Sequence, residues 1–483
     1  MKVAAWATVA IVAIAMLVWN ARHPQPIVWD DANYEIQTIH DAELARSGGP
    51  LRLAKAFIFE DVERPPAYRV IAFPFTFAGA SLRGLRVVSI AFFVLSAALL
   101  YVGAPRGGAI AAMLFALSPS VIAGSEWFGT DYPVILASAM LLAALGRPRW
   151  DFWLTAAGVA LGLLAKSSFL VFGGTFMIAR LAVEPWPKKR SVFLSGAIGA
   201  LIAAPWWFWN WRSAIGFANY SRLFPRLASA QNTPFVNFWY FVIAAVGLPA
   251  SIAIVVLLWR SNGWRAALPA IVGAIALPLT AIFSPFLLER IQAPAIAALA
   301  FAVGTLAVEG RRILIALGLF GAQLLLIVAG MFVDPSSWPE PASRIAVALM
   351  RKDNVDWSFL RPYERVSFFG LAPSMSPPEL AIPRQRAHET VQTMWLWNID
   401  QGAIDWRRIE EQVRKSDAVL VPDPATVHPS PLRGLMPRDL AIHNEHDEQF
   451  VTLVRSTGLF DESTRAIENV NPYTLRVFVR RRG

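Results

Sequence analysis

The sequence predicts a polytopic α-helical membrane protein of about eleven transmembrane helices, followed by a soluble C-terminal α/β domain. Three observations point there. Of the 483 residues, 55% are hydrophobic, with 31 Phe and 19 Trp, against about 45–50% apolar in ordinary soluble domains. The excess is gathered into blocks close to the roughly 20 residues that cross a bilayer core at about 1.5 Å per residue. Beyond Asp334 the composition turns abruptly polar and charged.

The elements follow in chain order. "MKVAAWATVAIVAIAMLVWNARHP" opens with one Lys and an apolar run to Val18. The run exceeds a usual signal-peptide core and ends in Trp19-Asn20 rather than a small-residue cleavage site, so a retained first helix is expected. A polar segment, 20–86, is expected to form a large first loop. Apolar blocks then stand at 87–102, 109–123, 133–145, 152–165, 169–183, 192–209, 235–259, 266–283, 293–308 and 313–333. The stretch "DFWLTAAGVALGLLAKSSFLVFGGTFMIARLAV" is too long for one untilted helix and carries Lys166 at its middle. A lysine at the bilayer centre costs about 2.5–3.5 kcal/mol, so two short helices that turn at Lys166 are expected.

Charge placement supports that hairpin. With Lys2 in the cytoplasm, eleven alternating spans put Arg106, Arg147, Arg149, Lys188–Arg190, Arg260, Arg265, Arg311 and Arg312 on the cytoplasmic side, as the positive-inside rule requires. A single helix through Lys166 would turn the later basic loops outward. The 20–86 loop, Asp131, Lys166, Arg290 and the C-terminal region then share the extracytoplasmic face. A bacterial cell membrane is the expected location. The net charge of +10 is thereby explained by the bilayer, and nucleic acid is not an expected partner. Cysteine is absent, which identifies neither compartment.

The expected division is a transmembrane domain, 1–334, and a soluble domain, 335–483. In the latter "RVSFFGL" and "DAVLVPD" read as strands with the amphipathic helix "DWRRIEEQVRKS" between them. "DEQFVTLVRSTGL" reads as a second helix and "LRVFVRR" as a terminal strand. Prolines in "SPPELAIP" and "PDPATVHPSP" mark loops. "HNEHDE" at 443–448 reads as a polar loop, since its spacing suits no helix-borne metal site. Trp206, Trp207, Trp209 and Trp211 read as an interfacial aromatic belt.

The residues that carry chemistry lie at span ends. "VWDDANYEI" sets Asp30 and Asp31 just after the first span. "FEDVERPPAYRV" is a second acidic cluster running into Arg64, whose backbone is stiffened by Pro65-Pro66. "SPSVIAGSEWFGTDYP" delivers Glu126 and Asp131 to the same face. Cations suit a lipid phosphate, and a carboxylate suits deprotonation of a hydroxyl. No P-loop, dinucleotide fingerprint or nucleophile elbow stands in the sequence.

The order "DDANYEI … ERPPAYRV … GTDYP … LLAKSSF … LLERIQAP" resembles the membrane-embedded glycosyltransferases of GT-C fold. In pattern it is similar to protein O-mannosyltransferases and lipid A aminoarabinose transferases, of the glycosyltransferase family 39 type. The resemblance covers about residues 1–335. It implies that Asp30 is the catalytic aspartate and Asp31 the neighbouring acid, normally Glu. It implies substrate-binding roles for Tyr34, Arg64, Tyr68, Glu126, Asp131, Lys166 and Arg290. Arg64 stands where Lys is usual, which keeps the charge and adds a bidentate fork for phosphate. Ile291 departs from the family tyrosine, and Ser167-Ser168 from its Gly-Pro. A divalent ion is known in some relatives, for which Glu63 is the candidate ligand; a surface salt bridge is the competing reading of Glu63.

The resemblance implies transfer of a sugar from a polyprenyl-phosphate donor to a hydroxyl on a lipid, glycan or protein acceptor, with inversion. A secondary transporter and a non-catalytic membrane scaffold are the alternatives. Transporters usually show paired repeats with charges at mid-span; here the charges cluster at span ends and no repeat is visible.

Overall fold

The computed structural model describes residues 1–22, 29–220, 238, 241–259, 264–282, 292–306, 311–332, 356–370, 375, 377–387, 389–397, 404–423, 446–467 and 473–481, without the side chains at 29–31, 217–220, 244, 280–282, 311, 386, 397 and 473. The chain divides into two compact units. One comprises Met1–Pro24 and Thr38–Met350; the other comprises Gln25–Gln37 and Arg351–Gly483.

The described elements of the first unit are all helices, and the second of them, Trp29–Phe59, enters it at Thr38. Helix α1 is Lys2–Arg22, α2 is Trp29–Phe59, α3 is Ala67–Phe77 and α4 is Leu82–Gly103. Helices α5 (Gly108–Ala116) and α6 (Pro119–Glu126) form one apolar pair bent by 64°. They are followed by α7 (Asp131–Gly146), α8 (Asp151–Ala165), α9 (Phe169–Val183) and α10 (Trp186–Tyr220). A π-helical turn, Phe241–Gly247, leads into α11 (Leu248–Leu258). The last three are α12 (Leu268–Ile282), α13 (Ala293–Leu306) and α14 (Arg311–Phe332).

Among the described residues, five helical stretches are long and apolar enough to cross a membrane, and the bent pair makes a sixth. Five shorter apolar helices accompany them. These segments coincide block for block with the apolar stretches of the sequence, and the protein is a multi-pass integral membrane protein. Large apolar side chains on the outer helix faces are exposed, as at Ile178, Leu201, Leu314 and Leu325. Lipid, not water, is the solvent that suits such a surface.

The segment 20–86 is more ordered than its polarity suggests, since α2, α3 and the start of α4 occupy most of it. Helix α2 is interrupted at Gly49, whose φ of 71° admits few other residues, and Pro50 follows. The tryptophan belt also needs revision. Trp209 and Trp211 are exposed, but Trp206 is buried in the helix packing.

The second unit holds a five-stranded sheet of order β2-β1-β3-β5-β4. The strands are β1 Arg365–Phe369, β2 Gln392–Trp397, β3 Ala418–Pro422, β4 Phe460–Ile467 and β5 Tyr473–Arg480. Strands β1, β2 and β3 are parallel, while β5 runs antiparallel to β3 and β4. Helix α15 (Pro377–Arg386) packs on one face, where Val366, Phe368, Leu380, Leu420 and Val477 meet. Helices α16 (Trp406–Val413) and α17 (Asp447–Ser456) pack on the other, with Phe369, Val413, Val419, Phe450 and Phe478. Strand β3 is buried along its whole length, which is why "AVLV" carries no polar alternation. The α15 helix overturns the loop expected from "SPPELAIP": Pro377 and Pro378 sit in its first turn, where a missing N–H costs nothing. Strand β4 reads "FDESTRAI" and is solvated except at its two ends, a charged edge strand without a hydrophobic signature.

Asp447, first residue of α17, is fully buried, and among the described residues neither carboxylate oxygen meets a hydrogen-bond donor. Its Oδ1 lies against Gly370, a left-handed residue at φ 77° where a Cβ would stand 2.9 Å from that oxygen. Burial pushes the Asp447 carboxyl up to about 8, against the opposing pull of Arg476. The folded state then holds a proton that the unfolded chain releases above its ordinary value of 3.8. The contribution of this group to stability is therefore fullest below about pH 4 and declines as pH rises toward 8. Asp447→Asn is expected to raise the thermal midpoint of the purified protein, more at pH 8 than at pH 5. A lower midpoint at pH 8 would contradict this account.

Candidate active site

The α8–α9 hairpin turns where the sequence places it. Lys166 caps α8 in an extended conformation, and its N–H donates to Gly162 O at 3.2 Å. Lys166 O and Ser167 O then accept from Phe169 N and Leu170 N at 3.1 and 3.0 Å, so the turn is closed by its own backbone. Gly162 is required there, since a Cβ would fall about 2.3 Å from the Phe169 ring.

This turn aims Lys166 at the adjoining helix. Its Nζ donates to Asp131 Oδ1 at 2.5 Å. Asp131 opens α7, where a carboxylate also offsets the positive helix terminus. The Asp131 side chain is 8% exposed and that of Lys166 23%, so the cation is the more approachable partner.

The loop before α3 is organised by Asp61. Its Oδ1 accepts from the Arg64 backbone N–H at 3.1 Å and its Oδ2 from the Tyr68 hydroxyl at 3.2 Å. Two prolines and one carboxylate thus hold the backbone that carries Arg64. The Tyr68 ring meets Phe128 edge-on at 6.2 Å, and Phe128 stacks on Tyr132 at 6.2 Å. This aromatic chain ties the Arg64 loop to the segment that leads into Asp131.

Two further contacts bring the same helix ends together. Trp207 Nε1 donates to Leu163 O at 2.9 Å, and Asn210 Nδ2 donates to Ile58 O at 2.6 Å. Helix α10 therefore braces the last turns of α8 and α2. Behind the loop, Arg69 grips Asp41 through two side-chain contacts, one of 2.9 Å from Nε, and donates to Ala56 O at 3.2 Å. Both side chains are fully buried. At the far ends of α8 and α9, Arg180 binds both Asp151 oxygens at 2.6 Å and Thr155 Oγ1 at 2.9 Å, a cross-link that closes the hairpin.

Arg64, Tyr68, Asp131 and Lys166 thus belong to one end of the helical unit. Glu126 does not join them at the surface. It ends α6, is 1% exposed, and among the described residues meets no donor at either oxygen; Arg86, itself buried over the Trp19 ring, supplies the nearby positive charge. Asp30 and Asp31 lie in the first turn of α2, with side chains outside the described residues, and Tyr34 on the same helix is buried. Residues 25–37 group with the second unit. Arg290 lies outside the described residues. Glu63 is exposed, and among the described residues no group of three His, Asp or Glu is placed to hold a metal ion. Of "HNEHDE", residues 443–445 lie outside the described residues, and Asp447 opens α17.

Sequence reasoning missed Asp61, Phe128 and the Asp41–Arg69 pair. Asp61 had a signal: an acid three residues before Arg64 and ahead of two prolines is the spacing of a side chain that caps a turn. The other contacts join residues far apart in the chain and leave no local mark.

Residues 63–209 match the family described as dolichyl-phosphate-mannose-protein mannosyltransferase. That stretch contains Arg64, Tyr68, Glu126, Asp131 and Lys166. Among solved structures, the chain is similar to the crystal structure of ArnT from Cupriavidus metallidurans in the apo state. The identity is 13%, the coverage 99% of this chain and 98% of that one, and the TM-score 0.56. It is likewise similar to the structure of ArnT from Cupriavidus metallidurans bound to undecaprenyl phosphate, at 12% identity, 97% of each chain and a TM-score of 0.54. Among curated proteins, none matches the chain. The likeness to the solved structures establishes an ArnT-like fold, a helical membrane portion with an α/β domain. Of the five motifs that carry the resemblance in the sequence, the family match spans "ERPPAYRV", "GTDYP" and "LLAKSSF".

Proposed function

We propose that this protein is a GT-C type glycosyltransferase that moves a sugar from a polyprenyl-phosphate donor to a hydroxyl acceptor. One observation carries the reading. A lysine and an arginine are mounted on stiff turns at one end of the helical unit, within the stretch that matches the mannosyltransferase family. Such cations suit the phosphate of a lipid whose tail lies in the bilayer, and undecaprenyl phosphate is bound by the ArnT relative.

In this reading Arg64 and Lys166 hold the donor phosphate. Asp30 takes the proton of the acceptor hydroxyl as its oxygen attacks the anomeric carbon. The bond from that carbon to the phosphate oxygen breaks on the opposite side, which inverts the centre. The phosphate leaves with its charge already paired, so no strong general acid is required. Asp131 and Asp31 orient hydroxyl groups of sugar or acceptor. The basic loops support a reading with the N-terminus in the cytoplasm and this chemistry on the extracytoplasmic face. The acceptor is a lipid, glycan or protein hydroxyl.

The test is incubation of purified protein with membrane lipid extract, then mass spectrometry of the retained polyprenyl phosphate and its sugar. A retained polyprenyl-phosphate sugar is expected. Arg64→Ala should weaken its binding by about ten- to a hundredfold, because a hydrogen bond to a charged group contributes about 1.5–3 kcal/mol. Absence of any bound polyprenyl phosphate, or unchanged affinity in the variant, would count against the reading.

A further inference from the structure

Lys166 is engaged within the protein itself. Its ammonium lies 2.5 Å from Asp131 Oδ1, with the carboxylate the more covered of the two. A phosphate reaching this end of the helices therefore meets a cation whose charge Asp131 already offsets. The two residues differ in freedom. Asp131 is fixed at the first position of α7, whereas Lys166 carries its charge on a flexible four-carbon stem from a turn closed by its own backbone.

We propose that Lys166 exchanges partners during the reaction: the donor phosphate takes its ammonium from Asp131. The carboxylate, no longer held by Lys166, accepts a hydrogen bond from a hydroxyl of the acceptor. This rests on the donor reading given above and adds an order to it. Asp131 is occupied until the donor phosphate is in place, so donor binds before acceptor. The exchange is between two anions competing for one cation, and no covalent bond changes in it. Removing one competitor strengthens the other's hold. Asp131→Asn, though it removes a residue assigned to the site, is accordingly expected to bind donor phosphate more tightly.

The experiment is a cycle of dissociation constants for undecaprenyl phosphate, with the unsubstituted full-length protein, Asp131→Asn, Lys166→Ala and the double variant in detergent. Asp131→Asn should tighten binding about tenfold, while sugar transfer falls. Lys166→Ala should weaken binding about tenfold or more. In the Lys166→Ala background, Asp131→Asn should change affinity less than about twofold. Asp131→Glu keeps the charge and should not tighten binding. Gel filtration and thermal melting establish that each variant is folded.

An equal tightening in the presence and absence of Lys166 would mean that Asp131 repels phosphate through space, and would overturn the exchange. Weaker binding in Asp131→Asn would overturn it too, by making the carboxylate part of the phosphate mount. Failure of the unsubstituted protein to bind undecaprenyl phosphate would instead defeat the donor reading, and the exchange with it.

Discussion

Asp30→Asn is expected to lower sugar transfer by about 10²–10⁴-fold, the usual loss when a general base is removed, while the lipid-linked donor still binds. Asn preserves size and one hydrogen-bonding oxygen but cannot take the acceptor's proton. Asp31 is the internal control. Both residues lie in the first turn of α2, and adjacent positions on a helix are rotated by roughly 100° from one another. They cannot both face one reacting carbon, so Asp31→Asn should retain measurable turnover. Transfer by purified variants, with donor affinity measured separately, distinguishes the cases. Near-normal turnover in Asp30→Asn would sink the catalytic assignment. Loss of turnover and donor binding together would mark the acids as a structural or metal-holding pair.

Arg69→Ala should be the most destabilising of the substitutions considered. Its guanidinium bonds to Asp41 and Ala56 O in a site closed to solvent, and lies 5.3 Å over the Phe57 ring. Truncation leaves the Asp41 carboxylate buried without its cation, and breaking such a pair costs about 3–5 kcal/mol. The pair stitches α2 to α3 one residue beyond Tyr68. Donor affinity should therefore fall as well, through the Tyr68–Asp61 contact and the Arg64 loop. The double variant Asp41→Asn/Arg69→Met removes both charges and should recover much of the stability. Thermal unfolding in detergent measures both; a loss below about 1 kcal/mol in Arg69→Ala would show that the carboxylate finds another partner.

Hydropathy was sufficient to locate the membrane helices, because a helix must carry enough apolar length to cross a fixed thickness of hydrocarbon. It was also sufficient for the hairpin at Lys166, because a mid-bilayer ammonium is costly enough to break a long apolar run into two. The central strands of the α/β domain were legible for a related reason: burial on both faces leaves continuous runs such as "AVLV". Helices α2 and α3 escaped notice. Their sequences are polar or short, and packing against neighbours, not apolar length, holds them.

The site was legible in part. Composition and spacing singled out Arg64, Asp131 and Lys166 as charges at span ends, and that much follows from one dimension. Their partners do not. Lys166 meets Asp131 across 35 positions and Arg69 meets Asp41 across 28, while Glu126, five residues from Asp131, turns into the interior instead. A sequence states how deep along a helix a charge stands. Which neighbour it faces depends on the rotation and crossing of whole helices, set by the packing of many apolar side chains at once. Depth was therefore determined by the sequence alone, and partnership by the tertiary structure.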